Sequence, residues 1–478
     1  MIPLSLAQIA TITGARLDRV ADPGVAVTGP VVIDSRRAEP GGLFAALAGE
    51  HADGHDFAGA ATAAGAVAVL ATRPPGVPAL IVPDVPAALG LLARAAVDRL
   101  PGMTILAVTG SSGKTTTKDL LAQVTQRLGP TVATAGSFNN ELGHPLTVLR
   151  ADTRTRYLVL ELGARGRGHI ARLCEIAPPR LGAVLNVGRA HVGGYFADRA
   201  EVAQAKGELV EALPGDGVAV LNADDPAVAA MASRTAARVV TFGLDGTATV
   251  RATGVVLDEQ ARPAFTLVTP EGAAPVRLNL RGAHNVPNAL AVAALARGLG
   301  MDTAGTAGAL CAAEARSRWR MEVTRRADGV TVINDAYNAN PESMSSALAA
   351  LRSIARGGRA FAVLGHMAEL GKNAEEWHEE IGALAARTGV AALIVVGDEA
   401  APMLAGAKSE AGWRGELLHV PDGRAAMRAL APRLGPDDVV LVKASRAAGL
   451  EQVALALLEP PGGEGDQAGA ARRDEAAQ

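Results

Sequence analysis

Short apolar runs bounded by Gly, Pro or Asp recur along most of the chain, and their spacing divides it into three stretches. In residues 1–100 the runs "VVIDSR", "GLFAAL", "AVAVLAT" and "ALIVP" predict short strands, and "LGLLARAAVDRL" predicts an amphipathic helix. Pro101-Gly102 marks a boundary. Residues 101–315 then alternate strand with helix: "TILAVTG" into "KTTTKDLLAQVTQRL", "YLVLELG" into "GHIARLCEI", then "LGAVLNV" and "GVAVLNADD". Continuous Val/Leu/Ile strands between helices predict a parallel sheet covered on both faces. Within this stretch, 238–280 alternates like antiparallel structure and predicts a side sheet. A third α/β set, residues 316–459, carries "GVTVINDAYN", "RAFAVLGHM", "AALIVVGDE" and "DVVLVKAS". Residues 460–478 have no apolar pattern and predict a disordered tail. No repeat of solenoid length is present.

Composition adds exclusions. The chain has 478 residues, is 49% hydrophobic and 20% charged, and has a formal net charge of -3. Without a basic stripe, a nucleic-acid partner is not expected. The N-terminal region lacks the pattern of a signal peptide, and no apolar run approaches the roughly 20 residues that span a bilayer. Cys174 and Cys311 have no metal-ligand spacing. A cytoplasmic, monomeric protein with no membrane span is the expectation.

The candidate chemistry begins at "AVTGSSGKTTTKDLL", residues 107–121, which resembles a phosphate loop lacking its first glycine. In Gly-x4-Gly-Lys-Ser/Thr that glycine would fall at position 108, where Val108 stands. The strand–turn–helix context still favours phosphate binding over a tight turn that binds nothing. Backbone N–H groups around Gly110 and Gly113, at a positive helix N-terminus, suit phosphate oxygens. Lys114 would reach the β/γ phosphates, with Thr115 and Thr116 beside it and the Thr115 hydroxyl on Mg²⁺. Glu161 ends an apolar strand, where open parallel sheets place their ligands. Mg²⁺ prefers such oxygen donors near phosphate. His191 follows another strand; a lone histidine there is more often structural than a ligand.

Taken in order, "TGSSGKTTT", "SFNNELGHPLT", "ELGA", "NVGRAHVGGY", "AKGELVEAL", "LNADD", "GAHNVPNAL" and "NDAYNANPESM" resemble the Mur ligases. The likeness runs from "DSRRAEPGGLFAAL" to "VKASRAAGLE". That family uses a shorter Thr-Gly-x-x-Gly-Lys-Thr loop, which accounts for Val108. "DAYNANPESM" and "GHMAELG" are most similar to the branch that joins D-alanyl-D-alanine to UDP-N-acetylmuramoyl-tripeptide. The resemblance implies a small N-terminal α/β domain for the UDP-sugar, a central P-loop-type ATPase and a C-terminal Rossmann-like α/β domain for the incoming dipeptide. It also implies ATP-driven ligation in peptidoglycan synthesis, through an acyl phosphate.

Matching positions carry implied roles. Lys114 and Thr115 serve phosphate and Mg²⁺, Glu161 the metal, and His191 a second Mg²⁺. Lys206 matches a lysine carbamylated in the family, which replaces a cation beside Mg²⁺ with an anionic oxygen; read alone, it is a surface helix lysine. Asn285 and Asn288 match adenine-side amides, which both donate and accept. Arg320 matches an arginine that reaches the ATP phosphates from the third domain, and Asp335 a ribose-binding aspartate. Ser35 is placed on the uridine side, Asn139 and Asn140 on the muramyl-peptide side. His366 departs from the family's usual Asp, and imidazole is no substitute for carboxylate at neutral pH. Two competitors are a relative acting on another substrate, such as a folylpolyglutamate synthetase or the ligase for the third residue, and a nucleotide-binding module without ligase activity. "DAYNANP" argues against the first, and the joint presence of Lys114, Thr115, Glu161, His191 and Lys206 against the second. A GTPase would need an Asn-Lys-x-Asp signature, which is absent.

Overall fold

The computed structural model describes residues 1–49, 52–189 and 192–459. His191 and the segment 460–478 therefore lie outside the described residues. Three larger sheets follow one another along the chain. The first has five short strands in the order Arg16–Asp18, Ala79–Ile81, Ala68–Ala71, Leu43–Ala45, Val31–Val32. The third has six, with Val439–Lys443 between Thr331–Asn334 and Ala360–Gly365.

The middle sheet has nine strands and positions the site. Thr104–Thr109 runs parallel to Tyr157–Glu161 on one side and to Leu181–Val184 on the other. The chain first goes to the edge of one flank at Thr131–Ala133, fills the gap with Tyr157–Glu161, and then builds the opposite flank. Thr104–Thr109 is thus the switch point, and a crevice opens beyond its C-terminal end. The expected side sheet is not separate. Arg238–Gly243 pairs in parallel with Val218–Asn222, and only Val250–Leu257, Pro263–Thr269 and Gly272–Arg277 are antiparallel, as an extension of the same sheet. Alternation appears where one face of this edge meets solvent, as along Pro263–Thr269 and Gly272–Arg277. Helix Asn285–Gly298, apolar almost all round, is buried against the sheet and carries Asn285 and Asn288 in its first turn.

The apolar cores divide unevenly. One cluster runs without a break from Leu4, Leu43 and Leu89 of the N-terminal sheet region to Leu158, Val184 and Leu209 of the middle one. The six-stranded sheet has its own clusters on its two faces. Polar contacts join it to the middle sheet. Ser317 Oγ donates to Asp119 at 2.5 Å, and Gln123 exchanges hydrogen bonds with the Glu314 backbone at 2.9 and 3.0 Å. The connecting segment bends through left-handed backbone at Trp319 (φ 58°) and Met321 (φ 51°). Each such non-glycine residue costs on the order of 1 kcal/mol and persists where neighbours fix it. Here the Met321 N–H donates to Asp335 Oδ1 at 3.0 Å, and the Trp319 N–H to Glu322 Oε2 at 3.2 Å.

His144 sits at 1% exposure in helix Gly143–Val148, with neither ring nitrogen hydrogen-bonded. Burial pushes its pKa down to about 4, and the Leu173 backbone opposes only part of that shift. The folded chain then binds fewer protons than the unfolded chain, so stability is lost as pH falls from the unfolded histidine value near 6.5 and the loss saturates below about 4. His144→Leu is expected to remove up to about 3 kcal/mol of the decline in unfolding free energy across that window. Denaturant titrations at pH 7 and pH 4 check this, and parallel pH dependence in the two proteins would contradict it.

Candidate active site

Gly110 to Gly113 turn the chain from the central strand into helix Lys114–Gln126. Gly113 has φ +80°, open to glycine, and a Cβ there would collide with the Asn288 amide oxygen. A Cβ on Gly110 would lie 2.9 Å from Leu185 Cβ. The loop is fastened from one side. Asn186 accepts from the Ser111 N–H through its carbonyl (3.1 Å) and from the Ser112 N–H through its side chain (2.9 Å), and its amide donates back to Ser112 O at 3.2 Å. The first helical N–H groups, from Lys114 to Thr116, have no partner within the helix and are free for an anion. Lys114 Nζ folds back on Gly110 O at 2.8 Å.

Three cations converge here. Lys114 has its pKa lowered by burial first, with Arg320 adding to the shift and Glu161 opposing it. Lys206, at 4% exposure on helix Arg199–Glu211, is held well below the ordinary lysine value by burial and then by Lys114. Arg320 stacks on the Tyr337 ring at 4.2 Å, and Tyr337 meets Ser137 of the middle sheet region through their hydroxyls. Glu161, at 1% exposure, accepts from Asn139 Nδ2 through Oε1 at 2.7 Å, and its Oε2 is buried with no hydrogen-bond partner among the described residues. A buried carboxylate oxygen in that state is costly unless a cation completes it.

These groups line one cleft of about 640 Å³ between the middle and C-terminal sheets. Asn285, Asn288, Thr115, Thr116, Asn139, Asn140, Asp335 and Lys443 share its wall. Asn288 Nδ2 donates to Asn285 Oδ1 at 3.1 Å, and Asn285 Nδ2 to Arg281 O at 2.7 Å. The Asp335 carboxylate is paired with Lys443 at 2.6 Å. Asn140 Oδ1 accepts from the Gly143 N–H at 2.9 Å, which fixes the turn into helix Gly143–Val148. Ser35 begins a short 3-10 turn in the N-terminal sheet region, away from this cleft. His366 is not on the wall either. Its ring stacks on His378 with centroids 5.2 Å apart, and Nδ1 lies 3.9 Å from Glu399. His378 has both ring nitrogens engaged, one with the Met367 N–H at 2.9 Å and one with Ala374 O at 2.6 Å.

The sequence reading did not single out Asn186, Tyr337 or Lys443. A buried lysine at a strand end, as in "LVKAS", is the same signal that marked Glu161. Asn186 and Tyr337 act across the fold and give no local sign. Among the described residues no three His, Cys, Asp or Glu side chains cluster as a metal site by themselves. Among the described residues no helix is long and apolar enough to cross a membrane.

Comparison with known proteins gives a consistent result. Residues 30–101 match the Mur ligase family, catalytic domain; 108–296 the Mur ligase middle domain; and 319–446 the Mur ligase, glutamate ligase domain. The UDP-N-acetylmuramoyl-tripeptide–D-alanyl-D-alanine ligase of Mycobacterium tuberculosis (strain ATCC 25618 / H37Rv) is 52% identical over 96% of this chain and 98% of its own. The Escherichia coli (strain K12) ligase of the same name is 36% identical over 96% of this chain and 99% of its own. Among solved structures, MurF from Acinetobacter baumannii superposes with a TM-score of 0.86 at 31% identity, covering 96% of this chain and 99% of that one. MurF from Thermotoga maritima in complex with ADP gives 0.77 at 30%, covering 90% and 97%.

Gly113→Ala strains the left-handed turn by about 1 kcal/mol and displaces Asn288. ATP affinity is expected to fall roughly tenfold or more with the fold intact. Equilibrium titration with a fluorescent ATP analogue, alongside circular dichroism, checks this; wild-type affinity would contradict it.

Proposed function

The chain belongs to the Mur ligase family, and from that premise we propose that it joins the amine of D-alanyl-D-alanine to the terminal carboxylate of UDP-N-acetylmuramoyl-tripeptide, driven by ATP, in cytoplasmic peptidoglycan precursor synthesis. The observation that carries the reading is the convergence of Lys206 and Arg320 on Lys114, with Glu161 as the carboxylate facing Lys114, in a cleft shared by two domains. Like charges brought together under burial suit a polyphosphate ligand. We divide the work among residues 1–100 for the UDP-sugar, 101–315 for ATP and 316–459 for the dipeptide.

A free carboxylate is a poor acyl donor because its leaving group would be oxide. Transfer of the γ-phosphoryl from ATP to the carboxylate gives an acyl phosphate and ADP. The dipeptide amine then attacks the acyl carbon, and the tetrahedral intermediate expels phosphate. Lys114 and Arg320 meet the negative charge on the moving phosphoryl, and the free N–H groups of the loop hold the phosphates in line. Mg²⁺, when bound, would neutralise phosphate charge and orient the oxygens; Thr115, Glu161 and Lys206 fit it, and His191 joins them as a proposed ligand. The orphaned Glu161 Oε2 is the feature that fits a cation.

Lys206 suits this place as a carbamate. Its lowered pKa leaves a larger share of neutral amine, the form whose nitrogen adds to CO₂ with loss of one proton. The product is an anionic oxygen ligand in place of a cation beside the metal. Asn285 and Asn288 are assigned to adenine and Asp335 to ribose. Asn139 and Asn140 are assigned to the muramyl-peptide side and Ser35 to uridine.

Phosphate release is expected with UDP-N-acetylmuramoyl-tripeptide, ATP and D-alanyl-D-alanine, and not when diaminopimelate, lysine or glutamate replaces the dipeptide. Release with one of those amines instead would sink the assignment. Lys114→Ala is expected to abolish this activity; near-wild-type turnover would remove the phosphate-loop role. Lys206→Ala is expected to be inactive and partly restored by acetate, whereas full activity without acetate would make Lys206 structural.

A further inference from the structure

We infer that Glu342, on the C-terminal domain, is a positioning residue that sets the phosphate loop for transfer when the domains come together. The inference rests on the ligase reading above and adds a residue to its machinery. Glu342 lies in the first turn of helix Pro341–Ile354, whose start is fixed by a reciprocal Asn340–Ser343 cap. Its Oε1 accepts from the backbone N–H of Arg189 at 2.6 Å, across the seam between domains. The Arg189 guanidinium lies 4.3 Å over the Trp377 ring and 3.3 Å from Glu380, both on the C-terminal side.

The segment that Glu342 grips is the one fastened to the phosphate loop. Gly188 N–H donates to Ser111 Oγ at 2.9 Å, and Asn186 pairs with Ser111 and Ser112 as described. Ser111 and Ser112 precede Gly113 and Lys114, so a shift at Arg189 reaches the loop through two residues of backbone. The other Glu342 oxygen, Oε2, is buried and has no hydrogen-bond partner among the described residues. An acid used only to solubilise a surface would not be held so. Gly188 makes the approach possible: a Cβ there would lie 2.7 Å from Glu342 Oε1 and 2.8 Å from its carboxyl carbon. Gly188 is not among the residues with positive φ, so its lack of a side chain answers to Glu342 and not to backbone strain. Donor and acceptor sit on different domains, so the bond forms only in the closed arrangement, where Arg320 also reaches Lys114.

The test compares the full chain with Glu342→Ala, Glu342→Gln, Gly188→Ala and the Gly188→Ala/Glu342→Ala double variant. Glu342→Ala is expected to lower kcat about tenfold or more while the KM for ATP moves less than about threefold, since the loop itself remains. Glu342→Gln keeps an acceptor and is expected to recover most of kcat. Gly188→Ala displaces the carboxylate, so its loss should match that of Glu342→Ala, and the double variant should be no worse than either. Melting temperatures are expected to stay together. A second measurement needs no acceptor substrate: hydrogen exchange should rise in Glu342→Ala over residues 107–116 and 181–189 and stay unchanged in the C-terminal sheet. Wild-type kcat in Glu342→Ala, additive losses in the double variant, or unchanged exchange over 107–116 would each overturn the inference. Failure of the ligase reading is separate. It would appear as no dipeptide-dependent phosphate release from the unaltered chain, and the exchange measurement would then decide the role of Glu342 by itself.

Discussion

Mutual repulsion of buried cations is the constraint on which the site depends. Burial lowers the pKa of both Lys114 and Lys206, Lys114 lowers that of Lys206 further, Arg320 lowers that of Lys114 from another domain, and Glu161 opposes the shift at Lys114. Without a ligand such an arrangement is unfavourable, since desolvated like charges have little solvent to screen them. Its persistence in the fold implies a guest of high negative charge. The phosphate loop supplies directional donors for that guest, the end of strand Tyr157–Glu161 brings Glu161 to it, and helix Arg199–Glu211 brings Lys206. In the proposed transfer, charge moving from ATP to the acceptor would stay inside one field throughout.

The rest of the architecture divides into what is fixed and what can part. The N-terminal and middle regions share one apolar core, and prising them apart would expose it to water. The C-terminal sheet closes on its own core and meets the others through hydroxyls, carboxylates and guanidinium groups. Such a seam can open without exposing an apolar core to water. The linker reinforces this division. Trp319 and Met321 hold left-handed backbone on both sides of Arg320, so the arginine is aimed by a bend that side-chain contacts maintain.

Much of this was legible in the sequence because the signals were local. The Gly-rich turn before Lys114 and the carboxylate closing an apolar strand at Glu161 each stand within a few residues of the pattern that gives them meaning. The antiparallel edge strands were recognised, but their place in the main sheet was not. Arg238–Gly243 carries the same buried valines whether it ends one sheet or joins another, and pairing is decided by the partner strand. The supports of the site were illegible for a related reason. Asn139 reaches Glu161, Tyr337 carries Arg320 and Glu342 meets Arg189 across separations that only the folded topology closes. Lys206 shows the limit of composition: its helix has almost no amphipathic contrast, so nothing in the periodicity marks its inward face.

The continuous core beneath the first two regions has a bearing on what the enzyme accepts. With uridine assigned near Ser35 and phosphate near Lys114, both ends of one long acceptor rest on a single unhinged block. If both ends bind as proposed, that block would act as a gauge of fixed span, and stem length would be selected by reach before any side chain is inspected.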